Sequence, residues 1–291
     1  MKTKLLWIQG LACNANAHSF LNYTKLEQFL ENFEFVYHPI IDSKFNLEEI
    51  VSNYKKSDIL VIEGTICDTH KRANKNIVDI ISMYASKVKK IVTVGTCATF
   101  GGIFKDAPYV GSGGFLYLED KRLDRFKEFE KKVISISGCP IHPEVLVNTL
   151  YMIREKIDIL LDRYHRPKEF FAYTVHNGCT RNEYFEYKID DHTFGEKEGC
   201  MFYDHGCQAP FTHGSCNKIL WNGVNSKTRA GQPCFGCSEP DFPKFNLYQT
   251  KKNMGIPQYL PLGVPKRAYL TLTGVAKAFK IARLEKGLFD E

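Results

Sequence analysis

Ser57-Asp58-Ile59-Leu60-Val61-Ile62-Glu63, running on into Gly64-Thr65-Ile66-Cys67, is the stretch on which the fold turns. Four consecutive aliphatic residues closed by a glycine make a run too short for a buried helix, and no polar residue interrupts it. Such a run reads as a strand covered on both faces. Working outward, residues 4–9, 90–95 and 133–137 repeat the pattern with Leu6, Trp7 and Ile8, then Ile91, Val92 and Val94, then Val133, Ile134 and Ile136. Helical periodicity fills the gaps. It is predicted over 19–32, over 75–88 with Ile77, Ile80, Ile81 and Tyr84 on one face, over 122–132 as a charged surface helix, and over 143–161. Strands alternating with helices predict an α/β domain built on an open parallel sheet.

Each of these strands ends in a short loop that carries a cysteine: Cys13, Cys67, Cys97 and Cys139. Open α/β sheets bind ligands beyond the carboxyl ends of their strands, so the four thiols are expected to converge on one site. Core cysteines, by contrast, would fall inside the strands.

Composition narrows the classes. The 291 residues are 44% hydrophobic and 25% charged, as in ordinary globular proteins. No apolar run approaches the roughly 20 residues of a membrane helix. The net charge of +6 is too small to point to nucleic acid. Met1-Lys2-Thr3-Lys4 leads directly into Leu5-Leu6-Trp7-Ile8 with no secretory pattern, so a cytoplasmic, reducing location is expected. Ten cysteines in such a compartment more often hold metal than pair with each other.

The chain changes character near residue 166. To about Pro243, Gly, Asn, His, Pro and Cys replace apolar periodicity, and bound metal would organise such a stretch because its binding energy is folding energy. A division into 1–165 and 166–291 is expected, with a last helix over 269–286 carrying Leu272, Val275, Ala276 and Phe279. His176-Asn177-Gly178-Cys179 with Cys200 and Cys207 could make one four-ligand set; Cys216 with Cys234-Phe235-Gly236-Cys237 makes a second set of three. Structural zinc and iron–sulfur clusters both use such ligands. Three cysteines suit a three-iron cluster better than zinc.

In its motifs, the chain resembles the small, electron-transferring subunit of nickel–iron hydrogenases along nearly its whole length. The resemblance rests on Leu6-Trp7-Ile8-Gln9-Gly10 leading to Cys13, Val61-Ile62-Glu63-Gly64, Val94-Gly95-Thr96-Cys97-Ala98 with Gly101-Gly102, and Gly138-Cys139-Pro140. It continues through His176-x-x-Cys179, Gly206-Cys207-x-x-Pro210 and Cys216. The most specific piece is Ala230-Gly231-Gln232-Pro233-Cys234-Phe235-Gly236-Cys237-Ser238-Glu239-Pro240-Asp241-Phe242.

That resemblance implies a flavodoxin-like N-terminal domain with a proximal 4Fe-4S cluster and a loop-rich C-terminal domain with a distal 4Fe-4S and a medial 3Fe-4S cluster. It also implies a large-subunit partner that carries the nickel–iron centre and a redox partner at the distal cluster; a higher oligomer of heterodimers stays open. Carried over by position, the distal ligands are His176, Cys179, Cys200 and Cys207. The medial ligands are Cys216, Cys234 and Cys237; Ser226 stands where some relatives have a proline and others a fourth cysteine, so a three-iron cluster is expected there. The proximal ligands include Cys13, Cys97 and Cys139.

Two departures stand out. Asn16 occupies the place of the family's second cysteine, which leaves Cys67, or else Asp68, to complete the proximal set. The interval from Cys200 to Cys207 is one residue longer than is common. Near the proximal site, Glu63 could join a polar network or cap a neighbouring helix, and His18 could donate to a sulfide. Trp7, Phe20, Phe100 and Phe104 are expected to ring this edge, exposed in a lone chain. Three alternatives carry different predictions: a hydrogen-sensing small subunit with the same ligands, a quinone-reductase subunit without the C-terminal ligands, and a zinc-stabilised interaction protein.

Overall fold

The computed structural model describes residues 2–106, 111–191, 193 and 195–243, together with Pro265, Ala268, Thr271, Leu272 and Val275. The helix expected over 269–286 therefore lies almost wholly outside the described residues. Two compact units are present. Met1–Ala172 and Cys237–Phe242 form the first, and Tyr173–Gly236 belong to the second.

In the first unit, five parallel strands form one sheet: β1 Thr3–Gln9, β2 Phe33–Tyr37, β3 Ile59–Glu63, β4 Lys90–Val94 and β5 Val133–Ile136. Their spatial order is β2-β1-β3-β4-β5. This is the flavodoxin-like winding, whose switch point lies between β1 and β3. All five residues of β3 are buried, as a central strand covered on both faces requires. Leu6, Ile8, Leu60 and Ile62 point into one core with Ile77, Ile80, Ile81 and Tyr84 of the helix Ile77–Ala85. On the opposite face Trp7 meets Phe20 at 5.8 Å, and Phe20 meets Phe29 and Phe35 at 5.2 and 5.8 Å.

Register places the strand ends in a row. Gln9 pairs with Glu63, Glu63 with Val94, and Val94 with Ile136. Cys13, Cys67, Cys97 and Cys139 follow that row by three or four residues each, so the pattern read as strand–loop–cysteine corresponds to one edge of the sheet.

The helices are shorter than periodicity predicts. The expected helix over 19–32 is two, α1 Ala15–Leu21 and α2 Leu26–Asn32, because the chain turns at Asn22-Tyr23-Thr24, residues of low helix propensity. β2 begins directly after α2 with no turn residue to announce it. The helix over 143–161 stops at Arg154, and Lys156 takes a left-handed conformation with φ 57° just beyond. In place of a surface helix over 122–132 there is a two-residue antiparallel ladder and a 3-10 helix, Lys127–Lys132. Phe126, stacked on Phe115 at 4.4 Å, lies three residues before Phe129, the spacing at which 3-10 side chains align.

The aromatic ring expected at the surface is interior. Trp7, Phe20 and Phe100 are fully buried and Phe104 is half-buried. Their large apolar area is better used between sheet and helices than at an edge.

The second unit has no sheet among its described residues. Short elements, Val175–Gly178, Asn182–Tyr187 and Ala209–Phe211, are joined by turns. Its apolar clusters include the cysteines themselves: Cys207 and Cys234 with Val175, Met201 and Ala209, and Cys200 with Tyr184, Phe185 and Phe202.

Candidate metal centres

At the carboxyl edge of the sheet, loops are tied to one another by backbone bonds. Leu11 and Thr65 exchange both N–H···O bonds at 2.8 and 2.9 Å, and Gly10 donates to the Glu63 carbonyl at 2.8 Å. A side chain at Gly10 would run into the Thr65 carbonyl, so glycine is what allows this approach. Gly95 has φ 87° and lies against the Asn16 amide, which leaves room for no Cβ.

Glu63 is wholly buried at the centre of the row. Its Oε2 accepts from the Trp7 indole at 3.0 Å and from Gln9 at 2.8 Å; its Oε1 accepts from the backbone N–H groups of Asn16 and Ala17 at 3.1 and 3.3 Å. The carboxylate therefore caps the first turn of α1 and fixes the strand-end row to it, and it also belongs to a polar network, since the Gln9 amide that donates to it donates to Asn14 Oδ1 at 2.7 Å as well. Asn16 is buried too. Its Oδ1 accepts from Ile141 N–H at 3.0 Å, so the residue in place of the family's cysteine ties α1 to the loop of Cys139.

Cys13 is exposed, while Cys97 and Cys139 are half-buried. Burial raises the Cys97 thiol above its ordinary pKa, and the charges of Cys13 and Glu63 add to the rise, while the Ile103 N–H donates to its sulfur. Cys67 has other surroundings. It is buried, and its sulfur lies 3.1 Å from the Thr69 hydroxyl. Burial pushes its pKa up, but hydrogen bonds from Thr69 and the His70 backbone more than offset this and lower it. The Asp68 carboxylate is paired with Arg125 at 2.5 Å. His18 is exposed on α1.

In the second unit, His176, Cys179, Cys200 and Cys207 line one cavity with Arg181, Phe185 and Met201. Sequence spacing groups these four residues, and the folded chain brings them together. Their side chains ring a volume; among the described residues, no three Cys, His, Asp or Glu side chains converge where a single ion would sit. His176 Nε2 is buried with no hydrogen-bond partner. Burial, then the charge of Lys188, lowers its pKa to about 4, so the imidazole is neutral with a lone pair to offer. Burial pushes Cys200 and Cys207 up to about 12. An orphaned imidazole nitrogen and desolvated thiols around one cavity are a donor set that a thiolate-ligated cluster fits.

Arg181 is the element of this site that motif reading missed. It is buried, donating to the carbonyls of Thr228 (3.1 Å), Glu198 (3.0 Å), Gly199 (2.8 Å) and Glu196, and to Asp191 Oδ2 at 3.2 Å. Asp191 is fully buried, and its Oδ1 lies 3.4 Å from His205 Nε2. One guanidinium thereby folds the loop that delivers Cys200. The one sequence cue is its position two residues after Cys179. Of the medial candidates, Cys216 and Cys234 belong to the second unit, whereas Cys237 opens the segment that is part of the first.

Comparison with known proteins gives this arrangement its family. Residues 171–249 match the C-terminal family of the NiFe/NiFeSe hydrogenase small subunit, and residues 13–153 match the family of the NADH ubiquinone oxidoreductase 20 Kd subunit. The F420 non-reducing hydrogenase II small subunit of Methanosarcina mazei is 32% identical over 88% of this chain and 78% of its own. The periplasmic NiFe hydrogenase small subunit 1 of Nitratidesulfovibrio vulgaris is 35% identical over 63% of this chain and 59% of its own. Among solved structures, the NiFeSe hydrogenase of Dm. baculatum superposes with a TM-score of 0.72 at 26% identity, covering 85% of this chain and 99% of that one. With both its sheet domain and its cysteine-rich segment matched, the chain belongs to the small-subunit family of nickel–iron hydrogenases.

Proposed function

We propose that this chain relays electrons between the nickel–iron centre of a large-subunit partner and a redox partner, through proximal and distal 4Fe-4S clusters and a medial 3Fe-4S cluster. The observation that carries the reading is the cavity lined by His176, Cys179, Cys200 and Cys207, with the His176 nitrogen buried and unpartnered. Bound clusters would supply the reversible one-electron steps. The chain's own residues do the rest. His176 offers a neutral imidazole, and Cys200 and Cys207 give up their protons on ligation. Arg181 lines the same cavity, and its bonds to Asp191 and to four loop carbonyls hold that wall in place. At the sheet edge, the Ile103 N–H orients the Cys97 sulfur.

The proximal set is assigned to Cys13, Cys97 and Cys139, with Cys67 as fourth thiolate. Cys67 leaves β3 at the same edge with donors that favour its ionised form, and the alternative, Asp68, is already paired with Arg125. The medial set is assigned to Cys216, Cys234 and Cys237.

The test is metal and sulfide content of the anaerobically co-purified complex. About 11 iron atoms are expected from this chain, counting two four-iron clusters and one three-iron cluster. Zinc in place of iron would end the reading. In Cys67→Ser, iron should fall and the proximal spectrum change; unaltered iron and spectra would move the fourth position to another group.

A further inference from the structure

Thr96 precedes Cys97 at the start of the short helix Gly95–Phe100 and is buried. Its hydroxyl donates to the carbonyl of Cys237 and accepts from the Gly138 N–H at 3.0 Å. Its own N–H donates to the Gly138 carbonyl at 2.9 Å. One residue therefore joins three segments: its own, which bears Cys97, the one that bears Cys139, and the one that opens with Cys237. The junction is reinforced one residue further on. The Ser238 carbonyl accepts from the Ser137 hydroxyl at 2.8 Å and from Arg166 at 3.0 Å, and Arg166 is held in turn by Asp162 at 2.7 Å.

A hydroxyl that donates and accepts inside a buried site is satisfied in one orientation only, so it fixes the partners it bridges. Nothing in the fold of the sheet needs the Cys237 carbonyl, which comes from a residue far along the chain. We propose that Thr96 is a positioning residue: its hydroxyl holds Cys237 in a set relation to Cys97 and Cys139, so that one medial ligand and two proximal ligands share one hydrogen-bonded junction. The proposal rests on the cluster assignment above and adds to it a residue that ligates nothing.

Thr96→Val keeps the shape and removes both hydroxyl hydrogen bonds, and Thr96→Ser restores them. In the anaerobically purified complex, Thr96→Val is expected to release medial-cluster iron to a chelator roughly tenfold faster, in line with the usual effect of losing an outer partner of a metal ligand. Its three-iron EPR signal should shift, the distal signal should stay as in wild type, and Thr96→Ser should behave as wild type. A Thr96→Val complex whose medial signal and iron release match wild type would overturn the proposal. So would equal loss from the distal site, which would make the defect one of general folding, or a failure of Thr96→Ser to restore the signal. Wild-type complex without iron would instead sink the cluster assignment itself, and the proposal with it.

Discussion

His38 sits among Trp7, Phe20 and Phe35, with ring centroids 4.8, 6.1 and 4.8 Å away. Its Nδ1 accepts from the N–H groups of Ile40 and Ile41 at 3.2 and 3.1 Å, and its Nε2 is buried. Burial lowers its pKa to about 3. The imidazole therefore stays neutral in the folded chain at pH values where the unfolded chain, near the ordinary value of 6.5, takes up a proton. The unfolded state then binds more protons, so stability is full above pH 6.5 and falls as the pH drops from there toward 3. Between about pH 7 and pH 5 this amounts to at most about 2 kcal/mol. His38→Gln keeps an acceptor but does not titrate. Urea unfolding at the two pH values should show a smaller pH difference for the variant than for wild type, and an equal difference would show that His38 is not kept neutral. Glu63 is the other residue whose work is visible only in three dimensions: in the sequence it is a strand-end acid, and in the fold it closes the first turn of α1.

Helix Ile77–Ala85 shows how a single cap serves both the core and the site edge. Asn76 Oδ1 accepts from the Val78 N–H at 2.8 Å, and its amide donates to the Asp68 carbonyl beside Cys67. Removing such a cap costs about 1 kcal/mol. Asn76→Ala should lower the unfolding free energy by that amount in a urea titration; an unaltered midpoint would mean that the cap is not used. The body of this helix was legible because Ile77, Ile80, Ile81 and Tyr84 repeat at helical spacing, and the strands were legible because runs such as Ile59-Leu60-Val61-Ile62 have no polar face. Helix ends were not, since they depend on single backbone events such as the turn at Asn22 and the left-handed Lys156. The same contrast holds at the sites. Cysteines after strands and His176-x-x-Cys179 announce themselves through spacing. The Arg181–Asp191 pair does not, because a guanidinium that bonds four carbonyls acts through backbone positions that carry no residue signature.

Across the whole molecule the two units are held by different forces. The first buries a five-stranded parallel sheet between layers of helices and aromatic rings, a core that needs no metal. The second has helices of at most six residues among its described elements. Isolated helices shorter than about 12 residues are marginal in water. Its small apolar clusters are completed by Cys200, Cys207 and Cys234, so the groups assigned to metal also make up much of its core. Bound clusters would then add folding energy to these small apolar clusters and the Arg181–Asp191 pair. Stripping iron from the anaerobic complex with a chelator should raise hydrogen exchange through Tyr173–Gly236, while β1, β3 and β4 stay protected. Equal loss of protection in both units would mean that the sheet also depends on metal. Protection retained in the second unit would show that the buried Arg181–Asp191 pair and its carbonyl bonds hold that unit unaided, leaving the clusters with no structural role there.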